Sequence, residues 1–339
     1  MKKEHIQYDA GFLALALRLV IGWTYFSAFW RRTVLATKLD PDVSGYIGEK
    51  FNHFLPNALG IKPIILYLVE QPNLLWMNML VFTIIEGIVG LCIMLGLWTR
   101  LMSLAVIGLA TGILLASGWI GTTCLDEWQI GILGVATGFV LFLTGSGRHS
   151  MDRFLISKKY PFTQSKAFLW LGSGILPLKA KTFSSITITG AFFILFLSLY
   201  TNQMFHGGLW GPLHNLSVKP KIEITEGSLQ NNTLAFDIFR TEGVDVYGSW
   251  VIDISLLNKE HDTVFNYVAK DLTALNEEHI SNYYIAKVKP SAHSLMVPLG
   301  AKARINLTDE VINNLPSGSY TIMLTDISGV HWEHHLIKP

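Results

Sequence analysis

Five stretches of this chain are apolar long enough to suggest membrane spans, and one region alternates apolar and polar positions instead. The apolar runs cover residues 11–30, 75–95, 101–120, 129–144 and 183–200; a helix of about 20 such residues crosses the hydrocarbon core of a bilayer. The fourth run is short but carries no charge. After residue 204 the pattern changes to KIEIT, TLAFDIF, SWVIDISLL, TVFNYV, YYIAKV, ARINLT and SYTIMLT. These short β-rich runs, separated by Gly, Asn, Asp and Pro clusters, predict a β-sandwich. The expected fold is a membrane all-α four-helix bundle plus a fifth anchor helix and an exported all-β sandwich domain. Its boundaries are expected at residues 1–155 for the four-helix domain, 156–182 for a basic linker, 183–204 for the fifth helix and 205–339 for the sandwich.

Orientation follows from Lys and Arg near the span ends, which favour the cytoplasmic side. Lys2 and Lys3 lie at the N-terminus, GRHSMDRFLISKKYPFTQSK follows the fourth run, and Lys179 and Lys181 precede the fifth. These segments are expected in the cytoplasm. That makes a multi-pass protein of the cytoplasmic membrane, with its N-terminus inside and its C-terminal domain extracytoplasmic. The loop at residues 33–73 then lies outside, and its pattern suits amphipathic helices at the interface.

Half of the residues are hydrophobic, 15% are charged and the formal net charge is +1. That balance suits a lipid bilayer as partner and leaves no basic face for nucleic acid. Cys92 and Cys124 are too few for a disulfide framework, and the sequence holds no haem-attachment, iron–sulfur or dinucleotide motif. No tightly bound redox cofactor is therefore indicated by motif. His331, Glu333 and His335 would share a strand face, but three ligands on one strand rarely converge on one ion, and no metal site is assigned.

The polar residues of the apolar runs are the candidate chemistry. Arg18 and Glu86 each fall near the middle of a run, where an ionisable group usually pairs or lines a cavity. They read either as an ion pair between the first and second helices or with Glu86 as a proton acceptor. Arg31 and Arg32 follow the first run on the expected outer side, either as snorkelling anchors or as an anion site. Trp23, Tyr25, Phe26, Phe29 and Trp30 offer a flat apolar wall, or simply pack against helices and lipid. Cys124 is the one cysteine expected outside, where Arg31 and Arg32 would stabilise a thiolate; a packed role is the alternative. His53 reads as a surface histidine or as a proton relay. Glycines at 87, 90, 108, 112, 134 and 138 are expected to let helices approach closely.

GSGRHSMDRFL at residues 145–155 resembles the Gly-x-Gly-Arg-x-Ser-x-Asp segment that closes the last helix of the DoxX/DoxD membrane proteins. EGIVGLCIMLGLWTR at residues 86–100 is similar to the second-helix pattern of that group, and RLVIGWTYFSAFWRR at residues 18–32 looks more narrowly like DoxD. The anchor helix and the β-rich part beginning HGGLWGPLHNLSVKP resemble DoxA. The chain thus looks like a natural fusion of DoxD and DoxA, taken as the larger and smaller subunits of thiosulfate:quinone oxidoreductase.

That resemblance implies oxidation of thiosulfate, or a related sulfur oxyanion, to tetrathionate at the outer face, with membrane quinone as electron acceptor. The local chemistry then gives Arg31 and Arg32 to the anion and the five aromatic residues to the quinone. Cys124 would be a sulfur carrier, Glu86 or His53 a proton carrier, and Arg18 the partner that tunes Glu86. Two other classes stay open: a non-catalytic DoxX-type membrane module organising a redox complex, and an anion transporter. The assembly state, a homo-oligomer included, is open too.

Overall fold

The computed structural model describes residues 9–43, 45–121, 126–214, 216–245 and 248–339. The chain forms two compact units: Met1–Ile47, Trp76–Gly118 and Leu125–His214 in the first, and Gly48–Leu75, Trp119–Cys124 and Asn215–Pro339 in the second.

The first unit is helical. Its long elements are α1 (Leu15–Trp30), α4 (Pro72–Leu95), α5 (Thr99–Ser117), α6 (Asp126–Thr144) and α9 (Ala180–Phe205); α2 (Glu49–Phe54) and α3 (Lys62–Val69) belong to the second unit. Helices α4, α5, α9 and residues 127–144 of α6 are long and apolar enough to cross a membrane. Helix α1 has 16 residues and is preceded by a further helical segment at residues 9–13. The expected bundle, additional helix and all-β domain are therefore present.

Small residues set the helix contacts. A side chain at Gly22 would run into the Gly90 carbonyl and Met94, and one at Gly90 into the backbone of Phe26. This close approach fixes the antiparallel register of α1 on α4. Gly134 and Gly138 fit likewise against Ala110 and Ser103 of α5. Gly108 and Gly112 do not follow the expected packing role: nothing among the described residues lies within 4 Å of a side chain placed there.

The segment expected to be a linker, residues 156–182, begins inside helix α7 (Met151–Ser157) and contains a further helix, α8 (Lys166–Leu171), that folds onto the bundle end. The α8 end is held by Arg100, which is fully buried. Its guanidinium donates to the carbonyls of Phe142, Leu169, Gly172 and Gly174 at 2.6–3.1 Å. Carbonyls at helix ends lack intrahelical donors, and one cation supplies several at once.

The second unit is a sandwich of two antiparallel sheets. One has the order β1 (Lys221–Gln230), β2 (Thr233–Glu242), β8 (Lys302–Thr308), β5 (Ile280–Asn282). The other runs β10 (His331–Lys338), β9 (Gly318–Asp326), β3 (Ser249–Leu257), β7 (Leu295–Val297), β6 (Lys289–Pro290), with β4 (Thr263–Val268) also on β3. Alternation in β8 turns Ala303, Ile305 and Leu307 inward, where they meet Phe236, Leu256 and Ile322.

Segment Gly48–Leu75, expected as an interfacial loop, packs into this sandwich unit. Asn52 is buried, its side chain donating to the Gly300 carbonyl at 3.3 Å and accepting from the Ala286 amide at 3.1 Å. Asn57 donates to the Thr241 carbonyl, and Lys50 pairs with Asp245 at 2.7 Å. Gly300 has φ of +72°, and a side chain there would lie 1.7 Å from the Asn52 carbonyl oxygen. Gly300→Ala is therefore expected to destabilise the unit by more than about 2 kcal/mol, through a left-handed backbone and a backbone clash. Limited proteolysis should show cleavage within residues 48–75 of that variant well before the wild type.

Candidate functional site

The two ends of α1 each deliver an arginine to the bundle interior. At the first end Arg18 is buried, and its guanidinium donates to the Ser146 carbonyl and, at 2.7 Å, to the His149 carbonyl. Beside it Asp152 accepts from the amides of Trp98 and Thr99 at 2.8 and 3.1 Å. It also accepts from the hydroxyls of Thr99 and Ser173 at 3.0 and 2.7 Å. Asp152 thereby supplies acceptors to orphan donors at the start of α5. The GSGRHSMD segment and the Thr99–Arg100 pair are thus parts of one scaffold that closes this end of the bundle.

The expected Arg18–Glu86 pair does not form. The Gly22–Gly90 contact sets Arg18 against Gly96, where its Nη1 lies 2.8 Å from a side chain placed on that glycine. Ten residues of helix, about 15 Å, separate Gly96 from Glu86. The partner of Glu86 is Arg32, whose Nη1 donates to a Glu86 carboxylate oxygen and faces the Thr83 hydroxyl at 3.5 Å. Glu86 and Thr83 are buried, while the Arg32 side chain is 18% exposed. Residues Arg31–Leu35 form a π-turn, closed by the Ala36 amide on the Arg31 carbonyl at 3.1 Å. Such turns often mark functional positions.

Arg32 also lines a pocket of about 440 Å³ with Thr33, Thr37, Leu39, Asp40, Pro41 and Trp76. The Trp76 indole holds one wall by donating to the Leu39 carbonyl at 3.0 Å. Among the described residues Nε and Nη2 of Arg32 make no hydrogen bond. A guanidinium edge of that kind matches an oxyanion bidentately. Arg31 is exposed and is not among the residues lining this pocket. The two arginines therefore do not form one cationic fork.

The five aromatic residues divide as well. Phe26 stacks on Trp30 at 6.2 Å between ring centroids and meets Trp23 and Phe29 in tilted contacts at 6.1 and 5.8 Å; Trp23 and Trp30 are exposed. Phe29 covers Gly87, and Tyr25 is buried in the bundle core. Sequence reasoning missed Thr83, Trp76, Thr33, Thr37 and Asp40, whose residue types carry no signal without the fold.

In the sandwich unit, His53 has a buried Nδ1 without a hydrogen-bond partner, 3.9 Å from Asp245. Burial and the Lys50 ammonium, opposed by Asp245 and assisted by Arg240, push its pKa down to about 4. A histidine that stays neutral near pH 7 is poorly suited to relay protons there. Its ordinary value is 6.5, so the unfolded chain binds more protons between about pH 6.5 and 4. Stability from this group is complete above that window and falls as pH drops through it, by about 3 kcal/mol in all. Hydrogen exchange around Ala286 and Gly300 should quicken accordingly, and His53→Gln should remove that part of the pH dependence. Cys124 lies outside the described residues. His331, Glu333 and His335 stand on β10, with His335 bonded to Thr321 at 2.8 Å. Among the described residues no group of three or more His, Cys, Asp or Glu is placed to hold a metal.

Apolar spanning helices with an ion pair inside them, followed by an antiparallel sandwich, define a two-part membrane protein. Residues 13–179 match the family described as TQO small subunit DoxD, and residues 205–335 match TQO small subunit DoxA. The chain belongs to these families and joins both in one polypeptide, TQO being thiosulfate:quinone oxidoreductase. Both families are described as small subunits, which corrects the expectation that DoxD is the larger one. Among solved structures, catalytically inactive OgpA from Akkermansia muciniphila, in complex with an O-glycopeptide substrate, is similar at 10% identity. The TM-score is 0.20 over 66% of this chain and 54% of that one, so the chain spans about half of that protein and the likeness carries no argument.

Proposed function

We propose that this chain is a quinone-linked oxidoreductase of the cytoplasmic membrane that joins two thiosulfates into tetrathionate at its outer face. The observation that supports this reading is a pocket of about 440 Å³ lined by Arg32, whose Nε and Nη2 make no hydrogen bond among the described residues, in a chain that unites both TQO subunit families. Two dianions lose one electron each as their terminal sulfurs bond, and a membrane quinone takes both electrons with two protons. In this reading Arg32 holds an oxyanion and offsets part of the repulsion between two negative substrates. The Trp23–Phe26–Trp30 surface offers the quinone ring a flat apolar face. Glu86, buried beside Arg32, carries a proton to the reduced ring. Arg18 has no part in the chemistry proposed, because backbone carbonyls hold both of its terminal nitrogens.

Full-length protein in lipid nanodiscs, given thiosulfate and a soluble quinone analogue, should reduce the quinone and form tetrathionate in equal amounts. Normal folding with no thiosulfate-dependent reduction would refute the assignment. A Cys124→Ser variant with full turnover would restrict the chemistry to direct electron transfer, without a covalent sulfur carrier.

A further inference from the structure

We propose that oxyanion binding at Arg32 and proton uptake by Glu86 are one coupled event. This deepens, and rests on, the oxidoreductase reading above. Arg32 stands between two environments: its Nη1 is bonded to Glu86, and the same side chain lines the pocket. Glu86 is 2% exposed and does not line that pocket. An incoming dianion therefore meets the cation and not the carboxylate. Drawing the guanidinium toward the pocket lengthens its bond to Glu86. A carboxylate left without its cation inside an apolar bundle is costly and neutralises by taking a proton.

Among the described residues none but Arg32 offers Glu86 a cation. From α1 and its π-turn, Tyr25 and Arg32 face it. On α5 the only ionisable residue is Arg100, which is bonded to four backbone carbonyls. Helix α6 carries its ionisable residues, Asp126 and Glu127, only in its first turn. On α4 itself, Thr83 is a neutral neighbour that shares Arg32. Loss of Arg32 to the anion thus leaves a proton as the available counter-charge. The protonated carboxyl would hand that proton to the quinone once electrons arrive, so that the bundle is charged for reduction only when substrate is present. Asp40 lines the pocket and is exposed to solvent. Its carboxylate opposes a dianion without touching Glu86, which makes it a determinant of affinity alone.

Calorimetric titration of the full chain in nanodiscs, with thiosulfate and separately with redox-inert sulfate, tests the coupling. The same titration in two buffers of different ionisation enthalpy counts protons. Wild-type protein is expected to take up close to one proton per anion, and its Kd should rise by up to about tenfold per pH unit. Glu86→Gln should bind several-fold more tightly, without proton uptake and without the pH slope. Asp40→Asn should bind more tightly while keeping both. Anion binding by the wild type without proton uptake would overturn the coupling and leave the anion pocket standing. Absence of binding by either anion, or binding undiminished in Arg32→Gln, would overturn the pocket as well. The wild-type proton count decides the matter even if a variant fails to fold.

Discussion

Glutamine in place of Arg32 is expected to lower kcat/KM for thiosulfate by roughly tenfold to more than a hundredfold, the loss that follows removal of a hydrogen bond to a charged group. The same change leaves Glu86, whose side chain is 3% exposed, without its cation. Breaking one side of a buried ion pair costs about 3–5 kcal/mol, so thermal unfolding in detergent should shift sharply downward. Pairing Arg32→Gln with Glu86→Gln removes the orphaned charge. The double variant should recover most of the stability and none of the turnover. Because Glu86→Gln alone also removes the proposed proton carrier, the separating readout is anion binding. Glu86→Gln should bind thiosulfate and the double variant should not, whereas a purely structural arginine would leave binding in both. An Arg32→Gln protein with wild-type kinetics would remove the pocket from consideration.

Alanine in place of Asp152 is the second large effect, and it falls on assembly. Asp152 has no exposed surface and accepts from Trp98, Thr99 and Ser173. Truncation leaves four buried donors without that acceptor, each worth about 1–3 kcal/mol. Arg18 also loses a nearby opposite charge. The variant is expected to lose the monodisperse peak on size-exclusion chromatography or to melt far below the wild type. Asp152→Asn should restore only part of the loss, since its amide group places donors against donors. Arg31→Gln, a change at an exposed side chain, should stay within about 0.5 kcal/mol. A stable Asp152→Ala bundle would show that the segment after α6 does not organise the start of α5.

The architecture was largely legible because its signals are local. Unbroken apolar runs gave the spanning helices, and alternation in segments such as ARINLT gave the strands. Pairing was less legible, because it depends on register. Arg18 and Glu86 each lie near the middle of their apolar runs, so equal depth suggested a pair. The Gly22–Gly90 contact instead slides α1 along α4 and brings Arg32 level with Glu86. Gly90 is expected as a packing residue from its spacing, but no sequence rule pairs it with Gly22. The aromatic set divides for a related reason: five residues within eight positions of a helix cannot share one face. Tyr25 had to turn inward where Trp23 and Trp30 turned out. The pocket residues Thr33, Thr37 and Trp76 are ordinary in type and acquire meaning only from the chain path after the π-turn.

The burial of Asn52 has a consequence for how the protein is made. Its partner Gly300 lies 248 residues further along the chain. At roughly 5–20 residues per second of synthesis, the α2–α3 segment leaves the ribosome about 12–50 s before the strands that enclose it exist. During that interval the Asn52 side chain lacks both the Gly300 carbonyl and the Ala286 amide that it bonds in the finished unit. Slowed translation of the C-terminal third would lengthen the time for which this segment is without them.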